Sequence, residues 1–275
     1  MGQTLQITPG EEGILAHNGL TDLEAVFRLE TGVRLDKEGL ESWRQRWRLV
    51  LRDEKGQPRT VYLKRFQFPP WRRQWQRWGE GHGVLSTAGV EWSNARWLAQ
   101  AGVAAVEAIA FGQDMVGPWE RRSFVMTREV AGESLERWLP VHLPPIEGET
   151  DLPRRRRLLE KVADLAAGLH AAGFVHRDLY LSHIFIEGDG LRLIDLQRVF
   201  WPRWRRRRWV IKDLAALHFS TPADRVRRWE RLRFLVRYVR GCGAFGSART
   251  LARMIEAKAR RMARRKPELA AGLRA

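Results

Sequence analysis

Along Thr60–Phe66 (T-V-Y-L-K-R-F) apolar and polar residues alternate with the period of two that a half-buried strand requires. Trp47–Leu51 and Leu20–Glu30 are apolar segments of β-compatible content, and Glu54–Gln57 reads as a hairpin turn between Trp47–Leu51 and Thr60–Phe66. Over Gly89–Gly102 the period changes: Trp92, Ala95, Leu98 and Ala99 share one helical face, and Gly102 closes it. Strand character resumes at Val106–Phe111 and Ser123–Glu129. Ser134 is placed to cap a short helix through Leu139. A long amphipathic helix is predicted over Arg154–Ala172, with Leu158, Val162, Leu165, Ala166 and Leu169 as its stripe and Gly173 as its stop. Short segments at Phe174–Val175, Ile184–Ile186 and Leu191–Leu196 follow, with a turn at Gly188–Gly190, and from Lys212 on the chain reads as helix. Strands first and helices later predict an α+β fold in two lobes, residues 1–130 and 131–275, the first an antiparallel sheet with one helix.

Composition narrows the function. The 275 residues suffice for a sizeable core, and a single cysteine, Cys242, excludes a disulfide framework and a cysteine zinc site. The stretch Met1–Gly13 carries Glu11 and Glu12 and does not read as a signal peptide, and no segment has the roughly 20 apolar residues that cross a bilayer. The expected location is the cytoplasm or its membrane surface. A net charge of +17 suits a polyanionic partner, whether nucleic acid, a phosphorylated glycan or an anionic leaflet. Arginine-rich decoration of solvated helices would give the same total.

Chemistry is densest in Phe174–Arg198. His176-Arg177-Asp178-Leu179 precedes a strand pair that Leu193-Ile194-Asp195-Leu196 ends, which sets two carboxylates at the mouth of a short hairpin. Phosphoryl transfer needs such a pair, one carboxylate to orient the attacking hydroxyl and one to hold Mg²⁺ on nucleotide phosphates. Upstream, Lys64 sits inside an apolar strand and Glu91 opens a predicted helix. A lone strand lysine ordinarily faces solvent, but a Lys–Glu pair in this order aims an ammonium at phosphates. Phe124–Leu135 reads as strand, hinge, glycine turn and helix, and Glu129, Val130 and Ala131 mark where backbone groups would meet adenine.

The segments H-R-D-L-Y-L-S-H-I-F-I (176–186), L-I-D-L-Q-R-V (193–199) and R-R-W-V-I-K-D-L-A-A-L-H-F-S (207–220) resemble the lipopolysaccharide core heptose kinases and the related Kdo kinases. So do V-F-R-L-E-T (26–31), Y-L-K (62–64), E-W (91–92), A-G-V (101–103) and R-S-F-V-M-T (122–127), and the likeness spans roughly residues 24–222. The resemblance implies a bilobal protein-kinase-like fold and ATP- and Mg²⁺-dependent phosphorylation of a heptose or Kdo hydroxyl on the lipopolysaccharide inner core. On that basis Asp178 is catalytic, Asp195 binds metal, and Lys64 with Glu91 holds the phosphates. Asp213 would brace the catalytic loop as a structural residue.

Two features depart from protein kinases. His183 stands where they place a metal-binding Asn, and Mg²⁺ prefers oxygen, so metal contact, phosphate orientation and plain core packing are all open to it. No G-x-G-x-x-G precedes Lys64, so the phosphate lid is expected to be unconventional, with Gly32 and Gly39 flanking its turn. After Asp195 the chain interleaves Arg198, Arg203, Arg205, Arg206, Arg207 and Arg208 with tryptophans in what reads as a loop beside the acceptor. Arginine forks pair with phosphates and carboxylates, so an acidic glycolipid fits. Trp71–Trp78 has similar composition and suits lipid headgroups, whereas Arg154–Arg157 and Arg249–Arg265 read as exposed helix faces. Competing readings are a kinase of another hydroxyl (an aminoglycoside, another lipid-linked sugar or a protein side chain) and a non-catalytic nucleic-acid binder. The arginines argue against a cationic acceptor, and the intact Lys64, Glu91, Asp178 and Asp195 against mere polyanion binding.

Overall fold

The computed structural model describes residues 2–35, 41–80, 83–143, 145, 152–243 and 246–265. Gly39 and much of the proline-rich stretch 140–153 lie partly or wholly outside them. The chain divides into two compact units, Met1–Trp97 with Val106–Glu129, and Leu98–Ala105 with Val130–Ala275.

The first unit is built on β1 (Gly2–Ile7), β2 (Val33–Arg34), β3 (Arg44–Arg52), β4 (Pro58–Gln67), β5 (Ala108–Val116) and β6 (Trp119–Arg128), paired in the order β1-β5-β6-β4-β3-β2. Every pairing is antiparallel. Short helices α1 (Glu12–His17) and α2 (Leu23–Arg28) supply Ile14, Leu15, Leu23 and Val26 to a core with Leu49, Val61, Leu63, Phe124 and Met126. Alternation along β4 therefore turns Val61 and Leu63 to that core and leaves Lys64, paired in register with Val125, on the opposite face. Two further helices, α3 (Trp71–Gly79) and α4 (Thr87–Gln100), bring the described helices that accompany this sheet to four, where one was expected.

Leu20–Glu30 is not a strand. Asp22 caps α2 by accepting the Ala25 N–H at 2.7 Å, and buried Arg65 donates to the Val26 and Leu29 carbonyls that the helix leaves open. Side-chain bonds at both ends outweigh the β-compatible content of six residues. Burial holds the Arg65 pKa down at about 10.

The second unit opens with β7 (Glu133–Ser134), α5 (Leu135–His142) and α6 (Leu152–Ala171). Strands β8 (Ile184–Glu187) and β9 (Gly190–Leu193) complete a small antiparallel sheet with β7, and α7 (Arg206–Ser220), α8 (Arg228–Cys242) and α9 (Ala248–Arg265) follow. Ser134 occupies the N-cap position of α5, but its side chain makes no capping bond. The stripe of α6 is buried at Leu158, Val162, Ala166 and Leu169, and Gly173 ends the helix with φ +93°. Two further expectations fail. Arg155 is 1% exposed rather than on a solvated face, 3.9 Å from buried Glu230. The arginine segment is not all loop, because α7 begins at Arg206.

Candidate active site

In the first unit, Lys64 Nζ lies 2.7 Å from Glu91 Oε1, with the Glu91 side chain 1% exposed. Glu91 owes its position to the start of α4. Thr87 donates its N–H (2.8 Å) and hydroxyl (2.7 Å) to Glu120 Oε2, and Ser86 Oγ accepts from the Gly89 N–H at 3.0 Å. Ser123 Oγ in turn donates to Glu120 Oε1 at 2.5 Å. A buried carboxylate against a helix N-terminus is satisfied by the helix's open N–H groups and its dipole. Glu120 carried no signal in the sequence that set it apart from a surface residue. Glu129 is held by Arg48 Nε and by the Tyr62 hydroxyl, each at 3.2 Å.

In the second unit, Asp178 lies between two cations: Arg198 Nη1 donates to Oδ2 at 2.5 Å, and Lys212 Nζ is 3.7 Å from Oδ1. Burial lowers the Lys212 pKa, against the pull of Asp178, and its ammonium stands 5.9 Å from the Trp209 ring centroid. The peptide leading into Asp178 is fixed from behind. Asp213 Oδ2 accepts the His176 N–H at 2.6 Å and contacts His170 Nε2 at 3.3 Å, all three residues being buried. His176 Nε2 donates to the Ile194 carbonyl at 3.0 Å, linking the loop to the residue before Asp195, and burial lowers the pKa of this imidazole. Arg177 adopts φ +69°, with its guanidinium 5.4 Å from the Phe200 ring and 5.3 Å from that of Trp209.

Asp195 also has a left-handed backbone, φ +57°, which Asp tolerates better than most residues. His183 Nδ1 donates to the Asp178 carbonyl at 2.7 Å, and Nε2 of the same ring lies 3.9 Å from Asp195 Oδ2. Among the described residues no group of three or more His, Cys, Asp or Glu side chains is arranged to hold a metal ion. Ala131 donates its N–H to Glu187 Oε1 at 3.1 Å.

The arginines after Asp195 separate by role. Arg206 donates to the His170 carbonyl and Arg207, itself exposed, reaches Met254 Sδ at 3.3 Å, whereas Arg203, Arg205 and Arg208 are exposed, as are Trp201 and Trp204. Lys212 and Arg177 were missed as site residues, although both lie in the segments that carried the resemblance.

A family model described as "Lipopolysaccharide kinase (Kdo/WaaP) family" matches residues 40–238. The chain belongs to that family. Lipopolysaccharide core heptose(I) kinase WaaP of Pseudomonas aeruginosa is 35% identical, over 59% of this chain and 66% of that protein. The namesake from Escherichia coli is 32% identical, over 48% and 52%. The chain thus spans between half and just under two thirds of these curated relatives. A solved structure, "WaaP in complex with acyl carrier protein", superposes with a TM-score of 0.69 at 28% identity, covering 97% of this chain and 99% of that one. The α+β, protein-kinase-like fold expected of a Kdo/WaaP family member is the fold this chain has.

Proposed function

We propose that this chain is an ATP-dependent kinase that phosphorylates a heptose or Kdo hydroxyl of the lipopolysaccharide inner core, at the cytoplasmic face of the inner membrane. The observation that carries the reading is Asp178, held in an H-R-D loop between Arg198 and Lys212 and braced through Asp213. A carboxylate so fixed can accept a hydrogen bond from a sugar hydroxyl and take its proton as phosphate is transferred, while the two cations offset charge on the phosphoryl oxygens. Lys64, aimed by Glu91, would hold nucleotide phosphates, and backbone groups at Glu129–Ala131 would meet adenine.

The residues suit Mg²⁺. Asp195 supplies the oxygen ligand this ion prefers, and sparse protein ligation is usual where nucleotide phosphates and water complete the shell. His183 Nε2 lies 3.9 Å from Asp195 Oδ2, so a cation held by that carboxylate would sit beside the ring nitrogen. Bound there, the ion would neutralise phosphate charge. The exposed arginines Arg198, Arg203, Arg205, Arg207 and Arg208 would receive the acidic glycolipid, with Arg206 only supporting the loop.

The test is transfer of labelled phosphate from ATP to purified core oligosaccharide. Asp178→Ala should lower the rate by at least ~10²-fold while the protein stays folded. Full activity in the variant would overturn the assignment. Nucleic-acid binding without catalysis would survive the same substitution.

A second reading concerns a partner. The relative solved with acyl carrier protein directs attention to an apolar cavity in the second unit, lined by Leu135, Leu139, Leu158, Val162, Leu214 and Leu217. We infer that an acyl carrier protein could dock this chain with its acyl group there. Co-purification that persists after Leu158→Arg would count against it.

A further inference from the structure

Helix α3 is built inside out. Its buried residues are Gln74 and Arg77, each 7% exposed, whereas Trp71 and Trp75 are 62% and 57% exposed. The polar side chains anchor the helix: Gln74 bonds both the N–H and the carbonyl of Glu120 (2.8 and 3.2 Å), and Arg77 donates to the Pro118 carbonyl at 2.7 Å. Trp71, Trp75 and Trp78 recur at spacings of four and three, so they form one stripe. Trp78 packs edge-on to Trp119, centroids 4.7 Å apart, and lies 5.0 Å from Trp75, which makes the stripe a firm platform. Just before the helix, Phe68 is 68% exposed at φ +48°, an unfavourable backbone for a bulky residue that only displays its ring to water.

A small helix that spends its inner face on hydrogen bonds and turns indoles outward requires cover. We propose that Phe68, Trp71, Trp75 and Trp119 form a docking surface for the headgroup boundary of an anionic bilayer. Indoles favour that boundary because the ring enters the acyl edge while the N–H stays hydrated. The surrounding charge suits lipid phosphate. Arg72, with its guanidinium 5.4 Å from the Trp71 ring, Arg73 and Arg121 are exposed there, against Glu41, Glu80 and the Asp114 carboxylate 4.0 Å from Arg121, in a chain of net charge +17. The Arg73–Glu41 pair (3.4 Å, both half-exposed) is weak and can be exchanged for phosphate. No described helix is long and apolar enough to cross a membrane, so such a surface would hold the chain peripherally. Its purpose, bringing a kinase to a lipid-anchored acceptor, rests on the function proposed above; the docking itself does not.

The experiment is sedimentation of the 275-residue protein with vesicles of phosphatidylethanolamine and phosphatidylglycerol, compared with phosphatidylcholine alone. The wild type should pellet with the anionic vesicles. Trp71→Ser/Trp75→Ser, at exposed positions, should keep its melting temperature and partition at least ~10-fold less. The variant should match wild type on delipidated core oligosaccharide and fall behind on vesicle-embedded acceptor. Equal pelleting of both proteins, or a wild type that never pellets, overturns the proposal. So does a wild-type dimer that the double substitution dissociates, which would assign the surface to a second copy. Pelleting that depends on the tryptophans, with no phosphate transfer to either acceptor, leaves the docking intact and removes the kinase reading.

Discussion

Asp213 Oδ2 accepts the backbone N–H of His176 at 2.6 Å, so one buried carboxylate on α7 sets the peptide that delivers Asp178. Its neighbour Lys212, one residue earlier on the same helix, approaches the Asp178 carboxylate from in front, at 3.7 Å. One turn of helix therefore both braces and charges the Asp178 loop.

Asp213→Ala leaves the His176 amide and the His170 ring without their acceptor. Loss of a buried, charged acceptor should cost about 2–4 kcal/mol in urea unfolding, and turnover should fall in whatever fraction remains folded. Asp213→Asn keeps an acceptor of the same shape and should recover part of both losses.

Lys212→Met should lower kcat by roughly 10²-fold or more, with little change in KM for ATP, since its cation faces Asp178. Lys212→Arg should retain intermediate activity. Steady-state kinetics with ATP and acceptor varied separately distinguish this from a general packing defect.

Glu120→Ala removes the acceptor of the Thr87 N–H and hydroxyl at the α4 start. Glu120 also lies 3.8 Å from the buried Arg77 guanidinium, so its loss should cost about 2–4 kcal/mol. Faster hydrogen exchange at residues 87–89 and a raised KM for ATP are expected together, because Glu91 lies one turn further along the helix.

His218 gives a pH dependence of defined sign. Its pKa is lowered to about 4 by burial and by Arg231, whose Nη1 donates to His218 Nδ1 at 2.7 Å. Protonation in the folded state would set two cations against each other, so the unfolded chain binds the proton more readily. Stability is then full above pH ~6.5 and falls as pH drops toward 4, by at most about 3 kcal/mol. His218→Gln should flatten that part of the stability–pH curve.

Within the arginine segment, charge reversal should separate two effects. Arg206→Glu breaks the bond to the His170 carbonyl and should lower the melting temperature. Arg205→Glu, at an exposed position, should leave stability within about 0.5 kcal/mol and raise KM for the acceptor.

Much of this was legible in the residues themselves. Lys64 and Glu91 were paired on order and spacing alone, and they meet at 2.7 Å. β4 was legible because a period of two over seven residues leaves little else. The segment Leu20–Glu30 was not, since six residues show less than two helical turns and the bonds that decide them come from Arg65, which is far off in sequence. Arg155 and Arg77 read as surface residues because burial of an arginine depends on distant carbonyls and carboxylates that no local pattern announces. Glu120 escaped notice for the same reason.

Gly132 constrains any redesign of the segment expected to carry the nucleotide. With φ +111°, a Cβ there would come within 2.0 Å of the Ile186 carbonyl oxygen, inside the β7–β8 pairing. A mutagenesis library meant to change base preference can therefore vary Glu129, Val130 and Ala131 freely in sequence space, but every member that alters the glycine must first push two strands apart. Loss of activity in those clones would report sheet damage rather than altered recognition, and screening hits should be sought only among clones that retain it.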